Sequence, residues 1–272
     1  SSDLVVSPRT TGGSLSGPKG YIIDAVQKEL SKLGFSQEQL MVGGYVIKTT
    51  IEQRAQQSAV DAIVKLTPKG APENLHIGLV AIRPGTGEVI AMYGGADYVK
   101  RQLNDATQSI ALAGSTFKPF ALVAALEQGI PLTSMWNGDS PQTFDDLGKP
   151  YEVSNYGDEG WGQQNLLFAT KHSINTVYVP LGQKAGLERV VDVARRAGIP
   201  ETVAMVPAPS VSLGVASPHV IDVASSYATF AAQGVYAKPF IVKEVLGANQ
   251  GVLYQSRIQA QQVFAADVMS DL

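Results

Sequence analysis

The stretch that most restricts this chain is Gly114-Ser115-Thr116-Phe117-Lys118-Pro119-Phe120, followed directly by Ala121-Leu122-Val123-Ala124-Ala125-Leu126. The second half is apolar nearly all round until Glu127, Gln128 and a stopping Gly129. A helix of that composition has to be buried, so the fold must build a core around it. The first half sets a hydroxyl, Ser115, and an amine, Lys118, three residues apart where that helix begins. Residues i and i+3 share one helical face about one turn apart, so the amine reaches the hydroxyl without help from distant chain. A base beside a hydroxyl makes a nucleophile. Partial burial of Lys118 disfavours its ammonium and lowers its pKa toward a value useful to a general base.

A simpler reading is that Ser115 is an N-cap and Pro119 a first-turn proline. Ser-x-x-Lys also arises about once by chance in a chain of this size at ordinary Ser and Lys usage. Ser16-Gly17-Pro18-Lys19 is such a match, in a Gly/Ser/Pro-rich tract with no helix to align its side chains. Further on stands Ser173-Ile174-Asn175, the one Ser-x-Asn in the chain, between two helical patterns. Its hydroxyl can relay a proton, and its amide offers a donor and an acceptor to a peptide. By itself the triplet reads equally as a capped break between helices.

Composition narrows the functional classes. The chain has 272 residues, 44% hydrophobic and 17% charged, with a formal net charge of -3. No basic run suggests nucleic acid as a partner. Cysteine is absent and the three histidines, His76, His172 and His219, are far apart in sequence, so neither a metal site nor any cofactor is expected. The absence of cysteine suits an oxidising compartment. The abrupt opening Ser1-Ser2-Asp3, with no signal peptide or membrane span, reads as a fragment whose leader or anchor has been removed.

Taken in order, residues 1–19 read as a linker or poorly ordered arm, followed by a helix over 21–33, a strand over 45–49 and a helix over 51–66. Residues 74–82 and 88–93 flank Pro84-Gly85-Thr86-Gly87 and form a β-hairpin. Residues 131–164 read as a long loop, a length often functional. Helical patterns resume over 165–171, 176–181, 187–197 and 218–232, with strands over 241–246 and 252–254 and a last helix from 265. Early and late strands bracketing a helical middle predict an α+β architecture. His172 reads as a capping or surface residue, and Asn104-Asp105 and Asp145-Asp146 as loop and solvated-face residues without chemistry.

An active-site Ser-x-x-Lys followed by Ser-x-Asn is the signature of penicillin-binding proteins and serine β-lactamases. From about Gly20 onward the sequence resembles the transpeptidase domain of a class A, bifunctional penicillin-binding protein. Further matches are Tyr45 to Ile51, Thr86-Gly87-Glu88-Val89, Tyr93-Gly94-Gly95, Asn155-Tyr156, Ser212-Leu213-Gly214 and Tyr227 to Ala231. The resemblance implies an antiparallel sheet flanked by helices with a helical subdomain, residues 1–43 being a linker region and 44–272 the major part of the transpeptidase domain. It implies Ser115 as the acylated nucleophile, Lys118 as its general base, Ser173 as the proton relay and Asn175 as a contact to the donor peptide. Trp161, in the 131–164 stretch, is placed near the mouth of the cleft as a substrate contact.

The implied partners are peptidoglycan stem peptides ending in D-Ala-D-Ala and β-lactam antibiotics, at the extracytoplasmic face of the bacterial membrane. The parent would be anchored by an N-terminal helix and would carry a glycosyltransferase domain upstream. One family element, Lys-Thr-Gly or Lys-Ser-Gly, occurs nowhere in the chain. Its expected place lies shortly after Leu272, so a companion C-terminal fragment carrying it is expected and the fold is expected to be incomplete without it. Two other readings share the motifs: a hydrolase of the same fold, either D,D-carboxypeptidase or β-lactamase, and a non-catalytic β-lactam sensor.

Overall fold

In the computed structural model, which describes residues 3–6, 15–72 and 74–272, the chain divides into two units. The first holds Ser1–Ile110, His219–Ala232 and Tyr236–Gln261, and the second Ala111–Pro218, Gln233–Val235 and Gln262–Leu272. The chain passes from one unit to the other at five points, after residues 110, 218, 232, 235 and 261, the last two within the short strands β9 (Val235–Ala237) and β12 (Ala260–Gln262).

The first unit is an antiparallel sheet covered by helices. Strand order is β1 (Asp3–Val6), β2 (Val46–Glu52), β10 (Val242–Leu246) and β11 (Val252–Gln255). Helix α1 (Lys19–Lys32) turns Ile22, Val26 and Leu30, spaced by four, into a core shared with Ile47 and Ile51 of β2 and Val242 and Val245 of β10. Glu29 ties the same helix to the sheet, its carboxylate accepting from the backbone N–H groups of Ile241 and Val242 at 2.9 and 3.0 Å. Helix α2 (Gln37–Val42) starts on a Ser36/Gln39 capping box, and α3 (Gln53–Leu66) follows β2. The expected hairpin forms as β3 (Leu79–Ile82) and β4 (Val89–Tyr93), and α8 (Val220–Ala231) packs on β3.

Asn104 and Asp105 depart from the solvated-face expectation, being only 1% and 5% exposed. Burial opposes ionisation of Asp105, but the Arg101 fork at 2.6 and 2.9 Å and the Ser109 hydroxyl outweigh it and hold the carboxyl below its ordinary range. The pair is structural. The linker reading of residues 1–19 falls largely outside the described residues; within them, β1 pairs with β2, and α1 begins at Lys19.

In the second unit, α4 (Lys118–Glu127) is the buried axis the sequence demanded, with Phe120 to Ala125 all buried. It packs against α6 (Asn175–Ala185), α7 (Leu187–Ala197) and α9 (Ala266–Asp271). A short helix, α5 (Leu166–Lys171), precedes α6. Residues 131–164 are not the structureless loop that was expected. They fold into β5 (Met135–Asn137) paired with β8 (Gln163–Asn165), and a hairpin of β6 (Gln142–Asp146) and β7 (Lys149–Val153). Burial alternates along β6, but its inward positions are Gln142, Phe144 and Asp146, so the sequence offers no apolar alternation to read. The hairpin's tight turn is also disguised, since Leu147 takes the left-handed conformation (φ 51°) before Gly148 where Asn or Asp is usual.

Candidate active site

Ser115 lies in a 3₁₀ turn, Gly114–Phe117, that runs directly into α4 at Lys118. In a 3₁₀ turn residues i and i+3 eclipse one another, and Lys118 Nζ accordingly stands 3.1 Å from Ser115 Oγ. The hydroxyl is exposed while the lysine is only 4% exposed, so an accessible oxygen meets a sequestered amine. Burial lowers the Lys118 ammonium from its ordinary 10.5 to about 8. The Ser16/Lys19 copy has none of this: Gly17 takes a left-handed conformation (φ 73°) between them and Lys19 is exposed.

The turn itself is clamped from behind by the segment after a 3₁₀ turn at Pro209–Leu213. Gly114 N–H donates to the Gly214 carbonyl at 2.9 Å and Ala113 N–H to the Ala216 carbonyl at 2.9 Å. Gly214 has φ 78°, and a Cβ there would stand 2.0 Å from the Gly114 carbonyl oxygen, so no other residue permits this approach.

Ser173 comes to the same amine through the end of α5. The Ile174 N–H reaches back to the Ala169 carbonyl at 3.0 Å and the Ser173 N–H to the Thr170 carbonyl at 3.1 Å, a Schellman ending. The residue at its left-handed position is normally glycine; here it is Ser173, at φ 54°. That conformation costs a side-chain-bearing residue about 1–2 kcal/mol and turns both its carbonyl oxygen (2.6 Å) and its hydroxyl (2.8 Å) onto Lys118 Nζ. Strain of this kind concentrates at functional sites.

Asn175 opens α6 and presents Oδ1 to Lys118 Nζ at 2.7 Å, while its Nδ2 donates to the Ser154 carbonyl at 2.9 Å. The amine thus faces four acceptors. Two, the Ser173 carbonyl and the Asn175 amide oxygen, can only accept. They match the two N–H groups of a neutral amine, leaving its lone pair for a hydroxyl proton; an ammonium uses its third N–H on a hydroxyl instead. Both protonation states are therefore accommodated without rearrangement.

In the sequence Asn155 stands only within the Asn155-Tyr156 match, with nothing local to give it a role. It is buried, and its side chain is fully used. Nδ2 donates to the Gly138 and Glu159 carbonyls at 3.0 and 2.9 Å, and Oδ1 accepts from the Thr176 N–H and hydroxyl at 3.1 and 3.2 Å. It thereby locks the Ser154 carbonyl, the partner of Asn175, to the first turn of α6. Polar burial surrounded by main-chain partners has no local sequence signal.

Trp161 lies against His172 with its ring tilted, centroids 4.8 Å apart, and meets Phe168 edge-on at 5.5 Å, while Phe168 and His172 stack at 4.1 Å. His172 precedes Ser173, so this half-buried aromatic group, with His172 exposed, adjoins the Lys118 network without joining its hydrogen bonds. Ser115, Lys118, Ser173 and Asn175 are brought together; Trp161 stands beside them. Among the described residues no carboxylate hydrogen-bonds any of the four, and no group of three or more His, Cys, Asp or Glu side chains could hold a metal ion.

Comparison with known proteins gives the same direction. Residues 77–272 match the model of the penicillin binding protein transpeptidase domain. Penicillin-binding protein 1A of Mycobacterium tuberculosis is 37% identical over 255 residues, covering 88% of this chain and 30% of that protein. Penicillin-binding protein 1B of Escherichia coli is 31% identical over 273 residues, covering 97% of this chain and 32% of that protein. The chain therefore spans about a third of the length of the relatives it matches. The solved PonA1 protein of M. tuberculosis in complex with penicillin V superimposes with a TM-score of 0.83 at 35% identity, over 93% of this chain and 69% of that one.

Proposed function

Because the chain belongs to the transpeptidase-domain family of class A penicillin-binding proteins, we propose that it is the major part of a serine D,D-transpeptidase that cross-links peptidoglycan stem peptides and is acylated by β-lactams. The observation that carries this reading is the convergence of Ser115 Oγ, Ser173 Oγ and Asn175 Oδ1 on the one buried amine of Lys118. Neutral Lys118 takes the Ser115 proton as Oγ attacks the carbonyl carbon of the penultimate D-Ala. The Ser115 N–H, in the first turn of the helical run where N–H groups lack intrahelical partners, gives one oxyanion contact. Ser173 passes the proton to the departing D-Ala amine, and Asn175 holds the donor peptide. An amine of a neighbouring stem then attacks the ester, its proton returning through Lys118 to Ser115. Opening a β-lactam ring follows the same first step, with the leaving amine still tethered. Trp161 with Phe168 and His172 offers the peptide an apolar wall beside Ser173.

The same reading takes residues 1–43 as the region leading into the catalytic domain and 44–272 as the bulk of that domain, with α1 and α2 contributing to its first unit. It includes a companion segment carrying Lys-Thr-Gly or Lys-Ser-Gly, absent from this sequence, to bind the substrate carboxylate and supply the second oxyanion donor; loss of one such donor lowers rates about 10²–10³-fold. The parent protein is then a membrane-anchored bifunctional synthase working on the extracytoplasmic face, with a glycosyltransferase domain of its own. Among the described residues no helix is long and apolar enough to cross a membrane.

The test is partitioning of the acyl-enzyme. With a D-Ala-mimicking thioester and the companion segment present, added D-amino acid is expected to divert most of the acyl group into amide product. Among the described residues no carboxylate hydrogen-bonds Ser115, Lys118, Ser173 or Asn175, which favours the transpeptidase over the hydrolase reading. Hydrolysis unaffected by the amine would replace the transpeptidase with a carboxypeptidase or β-lactamase, and an adduct that never turns over to either product would indicate a sensor.

A further inference from the structure

The first unit contains a cavity of about 650 Å³ that the transpeptidase reading leaves unused. It lies where α1, the start of β10 and the end of β11 meet, and six charged side chains line it: Lys28, Lys32, Lys238, Arg257, Asp24 and Glu29. The two carboxylates are already engaged. Asp24 pairs with Lys28 at 2.7 Å, and Glu29 accepts from the Ile241 and Val242 N–H groups. Among the described residues Lys32, Lys238 and Arg257 have no carboxylate within ion-pair distance. A protein of net charge -3 thus gathers three uncompensated cations around one hollow.

The remaining walls say what kind of anion fits. Phe240, Pro239 and Tyr254 give apolar contact, and Ser256, Gln259 and Thr107 add neutral hydrogen-bonding groups. The volume falls in the range of small-molecule sites, roughly 300–1,000 Å³, and far exceeds the need of a single phosphate. β11 is the last strand of its sheet, and Tyr254 belongs to it while Ser256 and Arg257 follow directly. An edge strand offers backbone groups with which an extended chain can pair. We infer that this cavity is a second binding site, separate from the Ser115 centre, that takes a short acidic peptide segment with its carboxylates on Lys32, Lys238 and Arg257.

Isothermal titration of the full chain with acetyl-Glu-Tyr-Glu-Ala-amide tests this, with acetyl-Gln-Tyr-Gln-Ala-amide and inorganic phosphate as the other arms. The acidic peptide is expected to bind at least about tenfold more tightly than its glutamine analogue. Lys32→Gln/Lys238→Gln/Arg257→Gln is expected to remove about tenfold of that affinity at unchanged melting temperature, as three exposed charge contacts should. A second triple variant outside the cavity, Lys65→Gln/Lys69→Gln/Lys149→Gln, is expected to bind like the parent chain. Equal affinity for the two peptides, or equal loss in both triple variants, would overturn the inference. Phosphate competing at the same concentration as the peptide would also overturn it, by reducing the site to a point-anion contact. None of these results depends on acylation of Ser115.

Discussion

Replacing Lys118 by Met is expected to lower the rate of β-lactam acylation about 10²–10⁴-fold, the usual contribution of a positioned general base, with little loss of fold. The methionine fills the same channel, so α4 keeps its packing. Two stability effects oppose each other. The variant loses donors to the Ser173 carbonyl and Asn175 Oδ1, but it also loses an ammonium that burial disfavours. Their net is expected within about 1 kcal/mol at pH 7, measured by urea unfolding.

The pH dependence fixes the sign. The folded-state pKa of about 8 lies below the ordinary 10.5, so between those values the unfolded chain holds a proton that the folded chain has released. By linkage the parent chain gains stability relative to the Met variant as pH rises from 8 toward 10.5, and below pH 8 the unfavourable burial of charge is felt in full. Acylation by the parent chain is expected to rise with pH through about 8, where the amine becomes neutral. A stability difference independent of pH, or an acylation rate flat from pH 6.5 to 9, would mean that Lys118 does not titrate as a base.

Asn155→Ala is expected to cost about 3 kcal/mol of stability and to impair acylation together with it. The substitution leaves the buried N–H and hydroxyl of Thr176 without their partner and removes one of two donors from the buried Gly138 carbonyl, which keeps the Trp161 N–H at 3.0 Å. Each buried polar group so orphaned costs about 1–3 kcal/mol, less where water can enter. The Glu159 carbonyl is nearer solvent and recovers most of its bond. Asn155→Asp keeps the two acceptor bonds and loses the two donor bonds, so an intermediate loss is expected. Denaturant unfolding of the three proteins checks the order; a loss below about 0.5 kcal/mol for Asn155→Ala would show that the residue does not hold the Ser154 segment.

How much of this was legible in the sequence follows from how local each signal is. Ser115, Lys118 and α4 were legible because one turn of helix relates the two side chains and an apolar run reports burial directly. Ser173 and Asn175 were legible as a motif, yet the sequence could not show how Ser173 reaches Lys118. The answer is a Schellman ending whose left-handed position holds a serine in place of glycine. The β6–β7 hairpin is hidden for the opposite reason, with mostly polar residues at the inward positions of β6 and a Leu147 turn removing both signals on which a hairpin is recognised. Asp105 was misread as solvated because its partners Arg101 and Ser109 neutralise it four residues away on either side, and burial of a paired charge looks in sequence like any polar loop. Asn155 shows the same limit, since its partners lie 17 and 21 residues away as well as four.

The most direct test of the central claim is to find which oxygen carries the drug. The chain, together with the segment bearing Lys-Thr-Gly or Lys-Ser-Gly, is treated with benzylpenicillin, digested and mapped by tandem mass spectrometry beside its Ser115→Ala variant. The account predicts one penicilloyl adduct, on Ser115, and none in the variant. An adduct on Ser173, or one that survives Ser115→Ala, would contradict it.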